Sequence, residues 1–415
     1  MSRSGHPVMW KRSRRLSLLR YLTPLAIFVL GVLLPSWRGQ AQLSLPEAPA
    51  PGGPLAGLTP AQLAQFGAGR DQFLNVMRPE DGLGPVFNGI SCFECHNAGA
   101  PGGAGNDLVL GRVTRIGRIV NGNFSTMPSF GGPVIQRRSL REIIPNHPVF
   151  PEVVPAEATI VARRITTPLF GLGFIEAIPD SAILINADPL DLNADGISGR
   201  PNNVLNPETN EVELGRFGWK AQVSTIHYFT SLAFQDEMGI TNQTFPMEHL
   251  PQGQAMPPGG DLVPDPEDDG SLVDSVTNFQ RLLAPPSVQI INKSGRNVFS
   301  NIGCAKCHIP TLKTGPHPIA ALANRDVNLY SDLLLHDMGP DLSDGTPQEM
   351  ATPTEFRTAP LWGLRFRSLF LHDGRATSID AAIRQHGGEA LEARTRYEAL
   401  SPLDRSMLLN FLRFL

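Results

Sequence analysis

Apolar residues recur at helical spacing in three short segments of the chain. In "TPAQLAQF", Thr59 is a candidate N-cap and Pro60 lies in the first turn, which predicts a helix through Phe66 and Phe73. The segment "GRNVFSN" predicts a second short helix, and "SPLDRSMLLNFLRFL" predicts a third that begins after Ser401. The apolar stripe of this third helix consists of Met407, Leu408, Phe411 and Leu412. We interpret that stripe as core.

Between these segments the composition favours long loops. Glycine and proline number 40 and 38 among 415 residues, and only 18% of residues are charged. Residues 250–270 are rich in Pro, Gly and Asp, which is typical of an exposed loop or linker. We therefore predict a mainly α protein with long loops, a domain boundary near residue 283, and an insertion between about residues 130 and 260.

The first 42 residues have the pattern of a secretory signal peptide. Several arginines precede an apolar run from Leu22 to Leu34, and the small-residue stretch "RGQAQ" follows it. An uncleaved membrane anchor is the alternative, but the run is short for a span and Pro35 interrupts it. We expect a periplasmic or otherwise exported bacterial protein, anchored to the membrane only if this segment is retained.

Removal of residues 1–42 makes the remaining chain acidic. The segment holds seven Lys or Arg and no acid, so 28 of the 35 basic residues remain against 39 acidic ones, a formal charge of −11. This balance argues against nucleic acid and anionic lipid as partners. It is compatible with a small redox donor protein as the partner.

All four cysteines lie in C-x-x-C-H strings. The two strings comprise Cys92, Cys95 and His96, and Cys304, Cys307 and His308. This spacing is typical of covalent c-type haem attachment. Two intervening residues put both sulfurs on one side of a helical turn, where they can form thioethers with one haem, and the following histidine is the proximal iron ligand. The strings therefore predict two covalent c-type haems.

Three other uses of the cysteines explain less. A Cys₄ zinc site would leave both histidines without a role, a thioredoxin-like dithiol needs a βαβ pattern that is not evident, and a disulfide across two residues is strained. A short helix precedes each string, as in a class I cytochrome c domain, where a closing helix packs across it. We predict two such haem domains, residues 58–283, which contain the insertion, and residues 284–415.

Six further motifs accompany the haem strings in order. They are "GLGFIEAIP", "GRFGWKA", "YSDLLLHDMGPDL", "RTAPLWGL", "LFLHDGRAT" and "HGGEA". From about Gly82 to the C-terminus the chain resembles the di-haem oxidoreductase family, whose members are often labelled peroxidases or thiol oxidoreductases. The family is similar in outline to bacterial di-haem cytochrome c peroxidases and to the di-haem enzyme that matures methylamine dehydrogenase. Since all four sulfurs are assigned to haem, we expect no thiol chemistry.

The resemblance implies a second axial ligand for the C-terminal haem. In the peroxidase relatives a Met or Tyr ligand follows the histidine of an H-D-G string by fourteen residues; here His372 opens that string and His386 occupies the later position. His386 also ends a predicted short helix stopped by two glycines. We predict His308 and His386 as the axial pair, with Met338 as the alternative. His372 and Asp373 are expected to be structural.

The second face of the N-terminal haem has several candidate occupants. Met127 in "STMPSF" follows His96 by thirty-one residues and is a candidate iron ligand, although a loop Met of this kind can simply pack against its neighbours. His147 is another candidate. The remaining possibility is an open position, at which peroxide could be reduced.

Two further residues are candidates for catalysis. Glu176 is a lone carboxylate in an apolar run and could move protons during peroxide cleavage; alternatively it caps a helix or pairs with Arg163 or Arg164. Trp219 could carry electrons between the haems, with Trp362 behind it, although a buried Trp is more often core.

The segment "DPLDLNADGISG" has the first half of a calcium loop. It supplies Asp191, Asn193 and Asp195, followed by a glycine. The twelfth position is Asn202 instead of the bidentate Glu of an EF-hand. Calcium bound in another geometry and an Asx-rich turn without metal both remain open.

These features together predict a di-haem c-type cytochrome that acts in periplasmic electron transfer as a peroxidase-like oxidoreductase. The C-terminal haem would receive electrons from a small redox donor protein, and the N-terminal haem would reduce hydrogen peroxide. The alternative is a pure electron-transfer cytochrome in which both irons are six-coordinate and no substrate reacts.

Overall fold

The computed structural model describes residues 50–288 and 293–415. The predicted signal peptide, residues 1–42, lies outside the described residues. The described residues fall within one compact unit, Pro46–Leu415. None of their helices combines the length and the apolar character that crossing a membrane requires.

Helices in the described residues are short and widely spaced. The α-helices are α1 Pro60–Leu74, α2 Cys92–Cys95, α3 Leu172–Glu176, α4 Asp180–Leu184, α5 Ile226–Met238, α6 Ser271–Leu282, α7 Lys293–Asn301, α8 Ile379–Arg384, α9 Leu391–Glu398 and α10 Pro402–Arg413. Single 3₁₀ turns span Pro79–Asp81, Pro128–Phe130, Leu140–Glu142, Pro251–Gly253, Cys304–Lys306, Pro340–Leu342, Leu364–Phe366 and Gly388–Ala390.

Strands make up several small antiparallel sheets. They are β1 Val86–Phe87, β2 Arg112–Val120, β3 Asn123–Ser125, β4 Val134–Ile135, β5 Arg138–Ser139, β6 Ile160–Ile165, β7 Asn203–Asn206, β8 Glu211–Leu214, β9 Leu312–Lys313, β10 Asp326–Val327, β11 Leu335–Asp337 and β12 Glu355–Arg357. The largest sheet is built on β2, which pairs with β3, β4 and β6. The remaining strands form the pairs β1–β5, β7–β8, β9–β10 and β11–β12.

The prediction of a mainly α fold made of two class I cytochrome c-like domains is wrong. Among the described residues 31% are helical and 14% are in strands, in many short helices and small sheets. The sequence of β2, "RVTRIGRIV", shows the cause: five of its nine residues are β-branched, and such residues favour a strand. This strand lies before the predicted insertion between about residues 130 and 260.

The helices expected at the two ends of the chain are confirmed. Thr59 and Gln62 form a capping box at the start of α1, in which the Thr59 hydroxyl accepts from the Gln62 amide and the Gln62 side chain accepts from the Thr59 amide. At α10, the Ser401 hydroxyl accepts a hydrogen bond of 3.1 Å from the amide of Asp404.

A pair of closely packed, crossing helices lies next to each of the two haem strings. Helix α1 packs on α6, and α7 packs on α10. Gly69 and Gly295 lie at these crossings, and a Cβ on either would meet backbone of the partner helix. Four residues after each glycine comes a buried phenylalanine, Phe73 or Phe299, whose ring lies 6.3 or 6.4 Å from the histidine of its string. The crossings thus place an aromatic wall beside each string.

The core does not divide cleanly at residue 283. The largest buried apolar cluster joins helices α1, α5 and α6 with later residues, among them Leu329, Leu334 and Trp362. A second cluster contains Phe299, Tyr330, Tyr397 and the apolar face of α10, in agreement with the interpretation of that stripe as core. The division into residues 58–283 and 284–415 stays a prediction.

Helix α1 offers a matched test of the close crossing. Gly69→Ala should lower the free energy of unfolding by about 1–3 kcal/mol, because the new methyl group collides with the backbone of α6. Gly67→Ala, in the same helix but facing open space, should raise that free energy by about 0.5–1 kcal/mol. Denaturant unfolding of both variants measures these changes. Equal effects of the two substitutions would contradict the close packing of α1 on α6.

Candidate functional site

Each C-x-x-C-H string opens onto its own cavity. The C-terminal cavity has a volume of about 220 Å³ and is lined by Cys304, Cys307 and His308. The N-terminal cavity has a volume of about 480 Å³ and is lined by Cys92, Cys95 and His96. The four cysteines form no disulfide.

A helical turn brings the sulfurs and the imidazole of each string to one cavity wall. The amide of His96 donates to the carbonyl of Cys92 over 3.0 Å, and the amide of His308 donates to the carbonyl of Cys304 over the same distance. In the first string the Ser91 hydroxyl caps this turn by accepting from the Glu94 amide. Each string therefore forms the helical turn that its C-x-x-C-H spacing predicts.

Three histidines have the same hydrogen-bonding arrangement. The Nδ1 atoms of His96, His308 and His386 lie 3.2, 2.9 and 2.9 Å from the carbonyl oxygens of Gly103, Tyr330 and Ala382. Because a carbonyl oxygen can only accept, Nδ1 carries the proton and Nε2 keeps its lone pair. Burial lowers the pKa of both His96 and His308 to about 4, which keeps each imidazole neutral. These are the requirements of a metal-ligating histidine.

The C-terminal cavity brings together the histidines singled out in the sequence. His386 follows α8 and lines the cavity together with His308, and half-buried Met338 lines it as well. His372 also lines this cavity, and its ring stacks on Phe356 with centroids 4.4 Å apart. Asp373, its neighbour in the sequence, pairs with Arg375.

The sequence reasoning missed a buried cationic group in this cavity. His336 is 3% exposed, and its two ring nitrogens lie 2.8 Å from Asp332 and 2.6 Å from Glu389. Burial opposes protonation, but the hydrogen bonds to these carboxylates prevail and raise the pKa of His336 well above its usual value. Nδ1 is also 3.6 Å from the Cys307 sulfur. The only sequence signal was the i,i+4 spacing of Asp332 and His336.

The N-terminal cavity has a different set of polar groups. His96 is the only histidine among its lining residues, which also include Arg115, Arg164, Asp236 and Glu237. Glu237 accepts a hydrogen bond of 3.1 Å from the Asn88 side chain. Burial, reinforced by the neighbouring Asp236 carboxylate, raises the pKa of Glu237 to about 7. Such a carboxyl can both accept and return a proton near neutral pH.

The other candidates for this haem lie elsewhere. Met127 is buried in a small apolar cluster with Ile116 and Ile135 and is not among the residues that line the cavity. His147 is buried, and its Nδ1 accepts from the amide of Val149. Neither side chain is placed opposite His96.

Glu176 is placed in a helix-supporting role. Its carboxylate accepts a hydrogen bond of 2.9 Å from the Ile226 amide at the start of α5 and pairs with Arg281 of α6 over 2.7 Å. Glu176 lines neither haem cavity. Helix capping and ion pairing were the alternatives considered from the sequence, but the arginine partner is Arg281 instead of Arg163 or Arg164.

Trp219 lines both cavities. Its indole Nε1 donates a hydrogen bond of 2.7 Å to the carbonyl oxygen of Ile165, which fixes the ring. Trp219 and Trp362 together line a small space of about 20 Å³ that shares residues with both cavities. The structure therefore brings together the two tryptophans named from the sequence.

A family profile described as "Di-haem oxidoreductase, putative peroxidase" matches residues 155–415. The chain belongs to the di-haem oxidoreductase family. This membership confirms the resemblance found in the sequence motifs, and it implies haem cofactors.

Solved structures similar to this di-haem oxidoreductase are distant. The xenon-pressurised hydrazine synthase of Kuenenia stuttgartiensis is 13% identical, with a TM-score of 0.38 over 95% of this chain and 100% of that one. A MauG-like protein associated with microbial copper homeostasis is 12% identical, with a TM-score of 0.30 over 66% of this chain and 94% of that one. No curated protein matches the chain.

Unpaired polar atoms in this di-haem oxidoreductase fit a haem in the C-terminal cavity. Nε and Nη2 of Arg367 and Nε of Arg394 are buried without hydrogen-bond partners, and both arginines line the cavity. Buried donors of this kind are costly unless they are satisfied, and carboxylates such as haem propionates would satisfy them. The N-terminal cavity is also lined by an arginine, Arg115, and by Cys92 and Cys95.

The candidate calcium loop uses its carboxylates internally. Asp191 accepts hydrogen bonds from the amides of Asp195 and Gly196, and Asp195 forms an ion pair of 3.1 Å with Lys306. This is the pattern of an Asx-rich turn.

The axial ligand of the C-terminal haem can be tested directly. His386→Ala should convert one haem of the oxidised protein from low spin to high spin, because it removes the imidazole that shares the cavity with His308. Optical and electron paramagnetic resonance spectra measure the change. Met338→Leu is the matched control and should leave the spin state unaltered. A change of spin state in Met338→Leu but not in His386→Ala would identify Met338 as the ligand.

Proposed function

We propose that this di-haem oxidoreductase is an exported, periplasmic, peroxidase-like enzyme with two covalent c-type haems. The observation that carries the proposal is the asymmetry of the two cavities. The C-terminal cavity is lined by two histidines, His308 and His386, whose Nδ1 atoms lie against carbonyl oxygens, whereas the N-terminal cavity has one such histidine, His96, and the Glu237 carboxyl group, whose pKa is about 7.

At the C-terminal site, Cys304 and Cys307 would form the thioethers, and His308 and His386 would be the iron ligands. Two strong ligands favour a low-spin haem suited to electron transfer. We assign this site the role of accepting electrons from a small redox donor protein.

At the N-terminal site, Cys92 and Cys95 would attach the haem and His96 would hold the iron. A haem held there would supply the iron chemistry for the reduction of hydrogen peroxide. Overall, one peroxide, two electrons and two protons give two molecules of water. Glu237 would take a proton from one peroxide oxygen and deliver it to the other, and Arg115 would stabilise the developing negative charge.

Trp219 supports electron transfer between the sites. Its ring lines both cavities, and its hydrogen bond to Ile165 holds it in one orientation. We propose that electrons pass from the C-terminal to the N-terminal site by way of this ring, with Trp362 as a neighbouring aromatic group.

The acid–base role of Glu237 predicts a pH dependence. Only the carboxylate can accept a proton, so the rate of peroxide reduction should rise with pH through about 7, where the pKa of Glu237 lies. Glu237→Gln should remove this rise and slow peroxide reduction by about 10²–10⁴-fold. Stopped-flow kinetics with hydrogen peroxide at a series of pH values measures both effects.

Glu176→Gln makes the same chemical change outside both cavities. It should leave the rate and its pH dependence within about twofold of the unmodified protein, although the loss of charge at Arg281 costs stability. Equal slowing in the two variants would refute the role of Glu237. Two low-spin haems that ignore peroxide even after half-reduction would instead identify a pure electron carrier.

A further inference from the structure

A buried ammonium group lies directly beside Trp219 in the sequence. Lys220 is 0% exposed, and its Nζ donates to the carbonyl oxygens of Thr352, Glu355 and Pro353 over 2.8, 2.7 and 3.3 Å. Three acceptors match the three N–H donors of an ammonium, whereas a neutral amine has only two. Burial lowers the pKa of Lys220 to about 8, an effect that the Asp344 carboxylate opposes. Lys220 is therefore mostly charged at pH 7.

Asp344 joins Lys220 to a second buried cation. Its carboxylate lies 3.6 Å from Lys220 Nζ and accepts from Nε and Nη2 of Arg164 over 2.8 and 2.6 Å. The side chains of all three residues are at most 7% exposed. The Lys220–Asp344–Arg164 network thus contains two positive charges and one negative charge, and its net charge is positive.

The two ends of the network face the two cavities. Arg164 lines the N-terminal cavity. Lys220 Nζ lies 4.1 Å from the ring centroid of Phe356, which lines the C-terminal cavity and stacks on His372 there. The side chains of the network are almost completely buried, so a charge here is weakly screened by solvent and acts strongly on its surroundings.

Two members of the network are sequence neighbours of the two residues whose hydrogen bond orients Trp219. Trp219 donates to the carbonyl of Ile165, and Arg164 and Lys220 are the sequence neighbours of these two residues. Asp344 therefore pairs with a sequence neighbour of each partner in that hydrogen bond. Buried ion networks are often no more stabilising than apolar packing of the same volume, so stability alone does not explain two buried cations here.

We propose that the Lys220–Asp344–Arg164 network sets the electrostatic potential between the two haem cavities and raises the reduction potential of the C-terminal haem. Its members are positioning residues, and the inference rests on the proposed function. A net positive charge stabilises the haem that has gained an electron, and so favours holding an electron there before it passes Trp219. Of the two cations, Lys220 has the closer contact with the wall of that cavity.

Two substitutions that change the net charge of the network in opposite directions test the proposal. Lys220→Met should lower the equilibrium constant for one-electron reduction of the C-terminal haem about tenfold, which corresponds to about 59 mV. Asp344→Asn removes the negative charge and should shift the same equilibrium constant in the opposite direction. Spectroelectrochemical titration of the protein with both haems bound measures each haem separately.

Lys313→Met is the matched control, since Lys313 is exposed and lines neither cavity; its potentials should equal those of the unmodified protein. If Lys220→Met does not fold, Lys220→Gln makes the same charge change and keeps a donor for the carbonyls, with the same expected shift. Shifts of the same sign in the lysine and aspartate variants, or no shift, would overturn the proposal. A chain without two haems would instead contradict the proposed function.

Discussion

The arrangement on which the rest of the structure depends is a single helical turn that places two sulfurs and one imidazole on the same cavity wall. It occurs twice, and each time the amide of the histidine closes the turn on the carbonyl of the first cysteine. Behind each turn two helices cross closely at a glycine, Gly69 or Gly295, and a phenylalanine four residues later stands beside the histidine. The same arrangement of two cysteines and one histidine thus occurs at two places in the chain.

The surroundings of these two equivalent turns make them chemically different. In the C-terminal cavity the turn after α8 places His386 in the same cavity as His308. His336, which is held by two carboxylates, lies near Cys307 in this cavity. In the N-terminal cavity helix α5 contributes Glu237 instead of a second imidazole. One cavity therefore has two such histidines, and the other has one histidine and the carboxyl group of Glu237. The proposed division of labour between electron transfer and peroxide chemistry rests on this difference more than on the turns themselves.

The sequence predicted what depends on local spacing. The cysteine–histidine strings, the caps at Thr59 and Ser401 and the family were all readable, because each is encoded within a few residues. Groups defined by burial and distant partners could not be read in the same way. The arginine that pairs with Glu176 could not be named from the sequence, because Arg281 is 105 residues away. Glu237 and Lys220 were overlooked because nothing near them in the sequence signals that they are enclosed.

The prediction of the fold class was wrong for a related reason. The β-branched residues of β2 form a strand only when β6 and β4 supply its hydrogen bonds, and β6 begins forty residues after β2 ends. The central claim, however, rests on the two strings and can be tested by one measurement, the intact mass of the denatured, exported protein. We expect the polypeptide mass plus two haem groups, and plus one when Cys92 and Cys95 are both replaced by Ser. The mass of the bare polypeptide would contradict the account.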